Sequence, residues 1–192
     1  MARVPLKSRP LDLLYFIFFL IHLPSTLLVD LQAIYPHGLL PGIITKLPEL
    51  YINLSSDPLI GGAMGYFGVP ENYLWFKSFL LLEAFFQVPV FILGMRGLWK
   101  GSQKIYLLLL IYAASTTTTL LPCLAILLAT PTTSPETVAA KIISVTAEQR
   151  LLLLSSYVPF LIIPLTMLVD MSSRVFRLMQ AGLAAQAKAK SK

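Results

Sequence analysis

Four long apolar runs set what this chain can fold into. They cover residues 11–29, 76–95, 105–128 and 151–169. A helix needs about 20 apolar residues to cross a hydrocarbon core about 30 Å thick, and each run has that length. The composition agrees, because 56% of the 192 residues are hydrophobic and only 12% are charged. We predict an all-α membrane protein, a bundle of four transmembrane helices with a long non-cytosolic loop between the first two.

Basic residues predict the orientation of these helices. One side of the bundle receives Arg3, Lys7, Arg9, Arg96, Lys100, Lys104, Arg174, Arg177, Lys188, Lys190 and Lys192. The other side receives Lys46, Lys77, Lys141 and Arg150. Because cytosolic loops are enriched in Lys and Arg, both termini should be cytosolic. The basic residues flank the apolar runs and form no separate basic face, so nucleic acid is not an expected partner.

The C-terminal segment predicts a location in the cell. We divide the chain into a membrane domain, residues 1–170, and a cytosolic basic tail, residues 171–192. Lys188 and Lys190 are the fifth and third residues from the last one, which is the spacing of a dilysine retrieval signal. Such signals are addresses read by receptors, so this one predicts residence in the endoplasmic reticulum membrane. A basic tail that only touches anionic headgroups is the alternative.

Glu83 is the most informative polar residue, because it lies in a stretch of the second run that is otherwise interrupted only by Gln87. An ionisable group inside a membrane costs about 2.5 to 3.5 kcal/mol by insertion scales, so Glu83 should face the other helices. Gln87 is four residues further on and shares its helix face. We predict that both line a pocket. A neutral Glu83 that bonds a backbone carbonyl, with no ligand, is the alternative.

Each of the four predicted helices also carries proline, which removes a backbone donor and frees the carbonyl four residues earlier. The prolines are Pro24, Pro89, Pro122, Pro159 and Pro164. Four proline-kinked helices would leave a cavity between them, whereas prolines that only shape the packing would not.

Three more polar residues belong to the first run or the loop after it. Asp30 ends the run, His22 lies within it, and Asp57 stands directly before Pro58. Taken alone, Asp30 would be an interfacial residue, Asp57 a turn former and His22 a packed imidazole. Two histidines and scattered carboxylates show no metal-ligand spacing, so neither a metal nor a cofactor is expected.

A series of short motifs makes the chain resemble a known family. The motifs are LP at 23–24, DLQA at 30–33, DPL at 57–59, WFKSF at 75–79, FQVP at 86–89, TTLLP at 118–122 and YVPF at 157–160. In this order they resemble the EXPERA-domain family, and within it the sigma-2 receptor branch with its fungal relatives. The resemblance covers about residues 11–170. The chain departs from it at Phe160, where a second tyrosine is usual, and in residues 61–72, which lengthen the first loop.

The resemblance implies a pocket between the four helices that binds sterols or hydrophobic amines. It implies that Asp30 is the anionic partner of a ligand ammonium, and that Asp57 lies beside it and shares a proton with it. Glu83 and Gln87 would complete the polar network, and His22 is included among the candidate ligand-binding residues. The implied wall residues are Tyr112, Thr119 and Tyr157. Aromatic walls suit both a sterol and a cation.

Three functions stay open at this point. The first is binding of a sterol or an amphipathic cationic small molecule, with regulation of intracellular sterol distribution. The second is a sterol isomerase-like enzyme, which needs an acid and a base on opposed sides of the ring. In the isomerases of the superfamily that this chain resembles, these two groups are a histidine four residues before the second-helix glutamate and a glutamate on the third helix. Here Phe79 occupies the first position, and the third run has no acidic or basic side chain. The third is a membrane factor that assists the targeting of mitochondrial precursors from the endoplasmic reticulum surface.

We expect the first function, and no enzyme activity. A partner protein in sterol transport would fit that function. A homodimer is also open, because small residues such as Gly94 and Ala113 permit close helix contact without establishing it.

Overall fold

Eight α-helices make up most of the part of the chain that the structure, a computed structural model, describes: residues 4–36 and 38–191. They are α1 (Pro10–Leu28), α2 (Lys46–Ser55), α3 (Pro58–Ala63), α4 (Leu74–Leu82), α5 (Val88–Lys100), α6 (Tyr106–Ala129), α7 (Pro135–Ala139) and α8 (Ala147–Lys190). Short 3-10 turns cover Leu6–Ser8, Asp30–Ala33, Pro70–Tyr73 and Gln103–Ile105. Arg3 and Lys192, which entered the comparison of basic residues, lie outside the described residues.

Four helical stretches of the described residues are long and apolar enough to cross a membrane. They are Pro10–Ala33, Pro70–Lys100, Gln103–Ala129 and Ala147–Lys190. Each contains one of the four predicted runs, so the prediction of a four-helix membrane protein is confirmed. The shorter α2 and α3 belong to the first loop, and α7 belongs to the third. Along the bundle, α6 packs on α8 and α1 packs on α5.

The second span contains a π-helical turn, Glu83–Gln87, between α4 and α5. The Val88 amide donates to the Glu83 carbonyl five residues earlier, instead of the usual four. Pro89 follows at once, and it has no N–H to continue the ordinary helical ladder. Turns of this kind are rare and occur frequently at functional sites. Here the turn begins at the acidic residue and ends at Gln87.

The other prolines of the spans lie inside continuous helices. Pro24 is inside α1, Pro122 inside α6, and both Pro159 and Pro164 inside α8. A helix in a membrane tolerates proline because side-chain hydroxyls and neighbouring helices can satisfy the freed backbone groups. Prolines therefore do not end any of these helices, and the predicted kinks stay a prediction.

The glycine-containing part of the first loop is more regular than its composition predicts. The glycines of residues 61–68, flanked by Pro58 and Pro70, are typical of an irregular loop, yet Gly61 and Gly62 belong to α3. The helix forms there because Asp57 caps it and Pro58 supplies its first residue. Glycine is needed because a Cβ atom on Gly62 would collide with the ring of Tyr73.

The helix of the fourth span is longer than a membrane crossing requires. At 1.5 Å per residue, the 44 residues of α8 extend about 66 Å, roughly twice the thickness of a hydrocarbon core. No break in the helix occurs at residue 170, so residues 171–190 are a continuation of the span. The division into a membrane domain and a cytosolic tail stays a prediction, and so do the orientation and the retrieval signal.

A cluster of ion pairs joins the first turn of α1 to α8. Arg174 binds the carboxylate of Asp12 at 2.6 Å and that of Asp170 at 2.8 Å. Arg9 also pairs with Asp12, and the Tyr15 hydroxyl donates to Asp170 at 3.2 Å. Asp12 is only 2% exposed, and these two arginines are the reason that an acidic side chain is tolerated there. Sequence reasoning did not single out this cluster.

Candidate ligand-binding cavity

A cavity of about 360 Å³ lies between the four spans, toward the C-terminal end of α1. Its volume is within the range of small-molecule sites, roughly 300 to 1,000 Å³. The loop helices α2 and α3 contribute Tyr51 and Ile60 to it. Its apolar lining includes Phe76, Phe79, Leu80, Leu120 and Phe160. It lies between two groups of buried residues, one around Phe19 and Phe91 and the other around Leu59 and Leu80.

Glu83 lines this cavity and contacts α1. The Thr26 hydroxyl donates to Glu83 Oε1 at 2.6 Å, and His22 Nε2 lies 3.5 Å from the same oxygen. Thr26 is fully buried and His22 is 8% exposed. Thr26 follows His22 by one helical turn, so both present their polar groups on one face of α1. An ionisable group inside the membrane thus has its polar partners on the neighbouring span, as its cost there requires.

Asp30 also lines the cavity, where α1 passes into a 3-10 turn. No side chain or backbone group of the described residues donates a hydrogen bond to its carboxylate or forms an ion pair with it. The residue is partly buried and is part of the cavity lining. An acidic side chain is therefore presented, without a cationic partner from the protein, to a largely apolar chamber.

Asp57 is fully buried and each of its oxygens has two donors. Oδ1 accepts the backbone N–H groups of Leu59 at 2.8 Å and Ile60 at 3.1 Å, which caps α3. Oδ2 accepts the hydroxyls of Tyr51 at 2.7 Å and Tyr157 at 2.9 Å. Four donors are what an ionised carboxylate can accept. Asp57 therefore holds the first loop to α8 through two tyrosines.

This arrangement corrects the expectation for Asp57. The residue is not part of the cavity lining, and no hydrogen bond joins it to Asp30. The proton shared with Asp30 stays a prediction. Its oxygens are already occupied by the cap and by the tyrosine hydroxyls. Tyr51 and Tyr157 do line the cavity, and they stand between Asp57 and the chamber. Burial, and then the charge of Asp57, raise the pKa of the Tyr51 hydroxyl, so it stays a neutral donor.

Of the remaining predicted site residues, three line the cavity and one does not. Gln87, Thr119 and Tyr157 line the cavity, with Gln87 at 5% exposure. The Thr119 hydroxyl donates back to the carbonyls of Ser115 at 3.1 Å and Thr116 at 3.2 Å. Tyr112 was expected on a wall and is not there.

Tyr112 is fully buried in an aromatic group one helical turn below the cavity. Its ring lies 5.2 Å from that of Phe19 and 5.6 Å from that of Phe91, edge-on to both. The sequence gives the helix face on which Tyr112 lies, but it does not give the depth at which the cavity ends. Tyr112 therefore packs beneath the residues at the inner end of the cavity and does not line it.

Sequence reasoning missed several residues of the site. Tyr51 and Thr26 make its shortest hydrogen bonds to the acidic groups, and Thr116 lines it. Thr26 could have been found, because it follows His22 by one turn in an apolar run. No local pattern announces Tyr51, since it reaches the site only through the fold of the first loop.

Comparisons with known proteins identify the family. The family model EXPERA (EXPanded EBP superfamily) matches residues 43–171. Sigma intracellular receptor 2 of Macaca fascicularis is 36% identical over 177 residues, which cover 88% of this chain and 90% of that protein. The Homo sapiens protein of the same name is 35% identical over 176 residues, covering 87% and 90%.

A fungal protein is similar over nearly the same length. Efficient mitochondria targeting-associated protein 19 of Schizosaccharomyces pombe is 27% identical over 175 residues, which cover 91% of this chain and 82% of that protein. The family match spans well over half of the chain, and the receptors match it almost end to end. The multi-pass membrane protein described here therefore belongs to the EXPERA family.

Proposed function

We propose that this protein binds a sterol or an amphipathic amine in the cavity, with Asp30 as the counter-charge for a cationic group. The site would work in the endoplasmic reticulum membrane and regulate intracellular sterol distribution. The observation that carries the proposal is the carboxylate of Asp30, which faces a largely apolar cavity and has no donor among the described residues.

A carboxylate in such surroundings is costly unless it is paired, because it has left water without gaining a partner. A ligand ammonium would supply both the charge and the hydrogen bond. The aromatic rings of Phe79, Tyr157 and Phe160 line the same chamber, and aromatic faces attract cations as well as apolar rings. Binding is further supported by the names of the mammalian relatives, which are receptors.

The test is the affinity of purified protein for N-(4-phenylbutyl)piperidine, a lipophilic amine that is protonated at neutral pH. Asp30→Asn should weaken binding at least tenfold, because it removes the charge and keeps the shape. Glu49→Gln is the matched control, since it removes an exposed acidic charge from α2 and should leave the affinity unchanged. Equal affinities of the wild type and Asp30→Asn would refute the proposal.

One observation favours examining a second function, that of a sterol isomerase-like enzyme. His22 and Glu83 approach within 3.5 Å in the cavity, and such a pair can exchange protons. We still propose binding, because Phe79 occupies the position four residues before Glu83, at which the isomerases of the superfamily have histidine. In addition, α6 contributes no carboxylate or imidazole to the cavity. Incubation of the purified protein with a Δ8-sterol should leave the double bond in place, and its migration would establish the enzyme instead.

A further inference from the structure

We propose that the inner end of the cavity is a subsite for a hydroxyl group of the ligand, separate from Asp30. The inference rests on the proposed function and adds to it the chemistry of a second anchor point. It comes from three polar side chains, His22, Gln87 and Thr116, which line the cavity and are each at least nine-tenths buried.

These three side chains lie at one depth in the bundle. The rings of Phe19 (α1), Phe91 (α5) and Tyr112 (α6) contact one another and form the layer below. His22 and Thr116 each follow a member of that layer by about one turn, on spans that cross the membrane in the same direction. Gln87 precedes Phe91 by four residues on a span that crosses in the opposite direction. All three therefore reach the level just above the aromatic layer.

The polar atoms at this level lack partners in the described part of the chain. His22 Nδ1 and Thr116 Oγ1 are buried and without a hydrogen bond, and no hydrogen bond is made by the side-chain amide of Gln87. The hydroxyl of Tyr112, one turn below Thr116, approaches it without reaching hydrogen-bond geometry. Buried polar groups in native proteins are nearly always paired, so this concentration of unpaired groups at one end of a cavity points to a ligand group that pairs them.

The chemistry selects a hydroxyl. In the neutral imidazole of His22, the proton is best placed on Nε2, which faces the Glu83 carboxylate, and Nδ1 is then an acceptor. Thr116 can donate. A ligand hydroxyl can donate to His22 and accept from Thr116 at the same time, whereas an ether oxygen can only accept. The residue separation between His22 and Asp30 corresponds to about 12 Å along a helix, so a ligand that uses both groups carries them at opposite ends.

The test uses three probes that differ only in the group at the para position of the phenyl ring: N-(4-phenylbutyl)piperidine, its para-hydroxy analogue and its para-methoxy analogue. For the unmodified protein, we expect the hydroxy probe to bind about tenfold more tightly than the parent, and the methoxy probe to show no such gain. Thr116→Val should reduce the gain to about twofold or less. Thr118→Val is the matched control, because that exposed hydroxyl is bonded to its own helix at the Ala114 carbonyl and does not line the cavity, and it should keep the full gain.

The outcomes separate this inference from the proposed function. Asp30→Asn should weaken all three probes and leave their ratios unchanged. Equal affinities of the three probes for the unmodified protein would overturn the subsite while the amine site stands, and would mean that water serves these groups equally well. If none of the probes binds, both proposals fall. The ratios for the unmodified protein decide the matter even if Thr116→Val does not fold.

Discussion

Replacement of Asp57 by Asn should destabilise the protein strongly, although it replaces only one carboxylate oxygen by an amide nitrogen. The amide oxygen of Asn can still cap α3, since Asn and Asp are about equally good at that position. The amide nitrogen cannot accept the hydroxyls of Tyr51 and Tyr157, which now bond to Oδ2. The variant therefore loses two hydrogen bonds to a fully buried charged acceptor.

The expected magnitude follows from that difference. Hydrogen bonds to charged groups contribute about 1.5 to 3 kcal/mol each, so the loss of two should cost about 3 to 6 kcal/mol. For a chain of this size, 1 kcal/mol shifts the melting temperature by about 2 to 4 °C. We therefore expect thermal unfolding in mild detergent, followed by circular dichroism, to shift down by roughly 6 °C or more.

Two single variants supply the internal check. Tyr51→Phe and Tyr157→Phe each remove one of the two hydroxyls and should each cost about half of the effect, about 1.5 to 3 kcal/mol. Asp57→Asn should add little when both tyrosines are already Phe, because the bonds it breaks are gone. A melting temperature of Asp57→Asn within about 2 °C of the wild type would refute the reasoning, since the carboxylate would then not hold the loop to α8.

Three further predictions concern other parts of the molecule. Gln87→Trp should fill the inner part of the cavity and abolish amine binding with little change in helix content by circular dichroism; a normal phenotype of this variant in cells would favour the mitochondrial targeting role over ligand binding. Asp12→Asn should cost about 2 kcal/mol in thermal unfolding, between the values for exposed and buried ion pairs, and leave ligand affinity unchanged because it lies at the far end of α1. Gly62→Ala should destabilise by about 1 to 3 kcal/mol because of Tyr73, whereas Gly182→Ala, at an open helical position, should stabilise by about 0.5 to 1 kcal/mol; equal effects would contradict the close packing of α3.

The four spans could be predicted from the sequence because length and hydropathy alone decide them. The inward position of Glu83 could also be predicted, since a membrane leaves an acidic side chain no other place at that depth. Both conclusions depend on the local sequence and on the solvent. They need no knowledge of how distant segments meet.

The rest of the site depends on contacts between distant segments. Asp57 before Pro58 indicates a helix cap, but nothing nearby shows that Tyr51 and Tyr157 would occupy its other oxygen. The resemblance to the family predicted Asp57 as a site residue, but it did not indicate that Tyr51 and Tyr157 would line the cavity in its place. The π-helical turn at Glu83–Gln87 was not predicted either, because Pro89 indicates only that the helix is disturbed.

The central claim is that Asp30 receives the cationic group of a ligand inside the cavity. A density map of the protein bound to N-(4-phenylbutyl)piperidine measures this most directly. The account predicts the piperidine nitrogen at about 3 Å from an Asp30 carboxylate oxygen, with the phenyl ring toward His22 and Thr116. A nitrogen placed against Glu83, or a ligand bound outside the cavity, would contradict it.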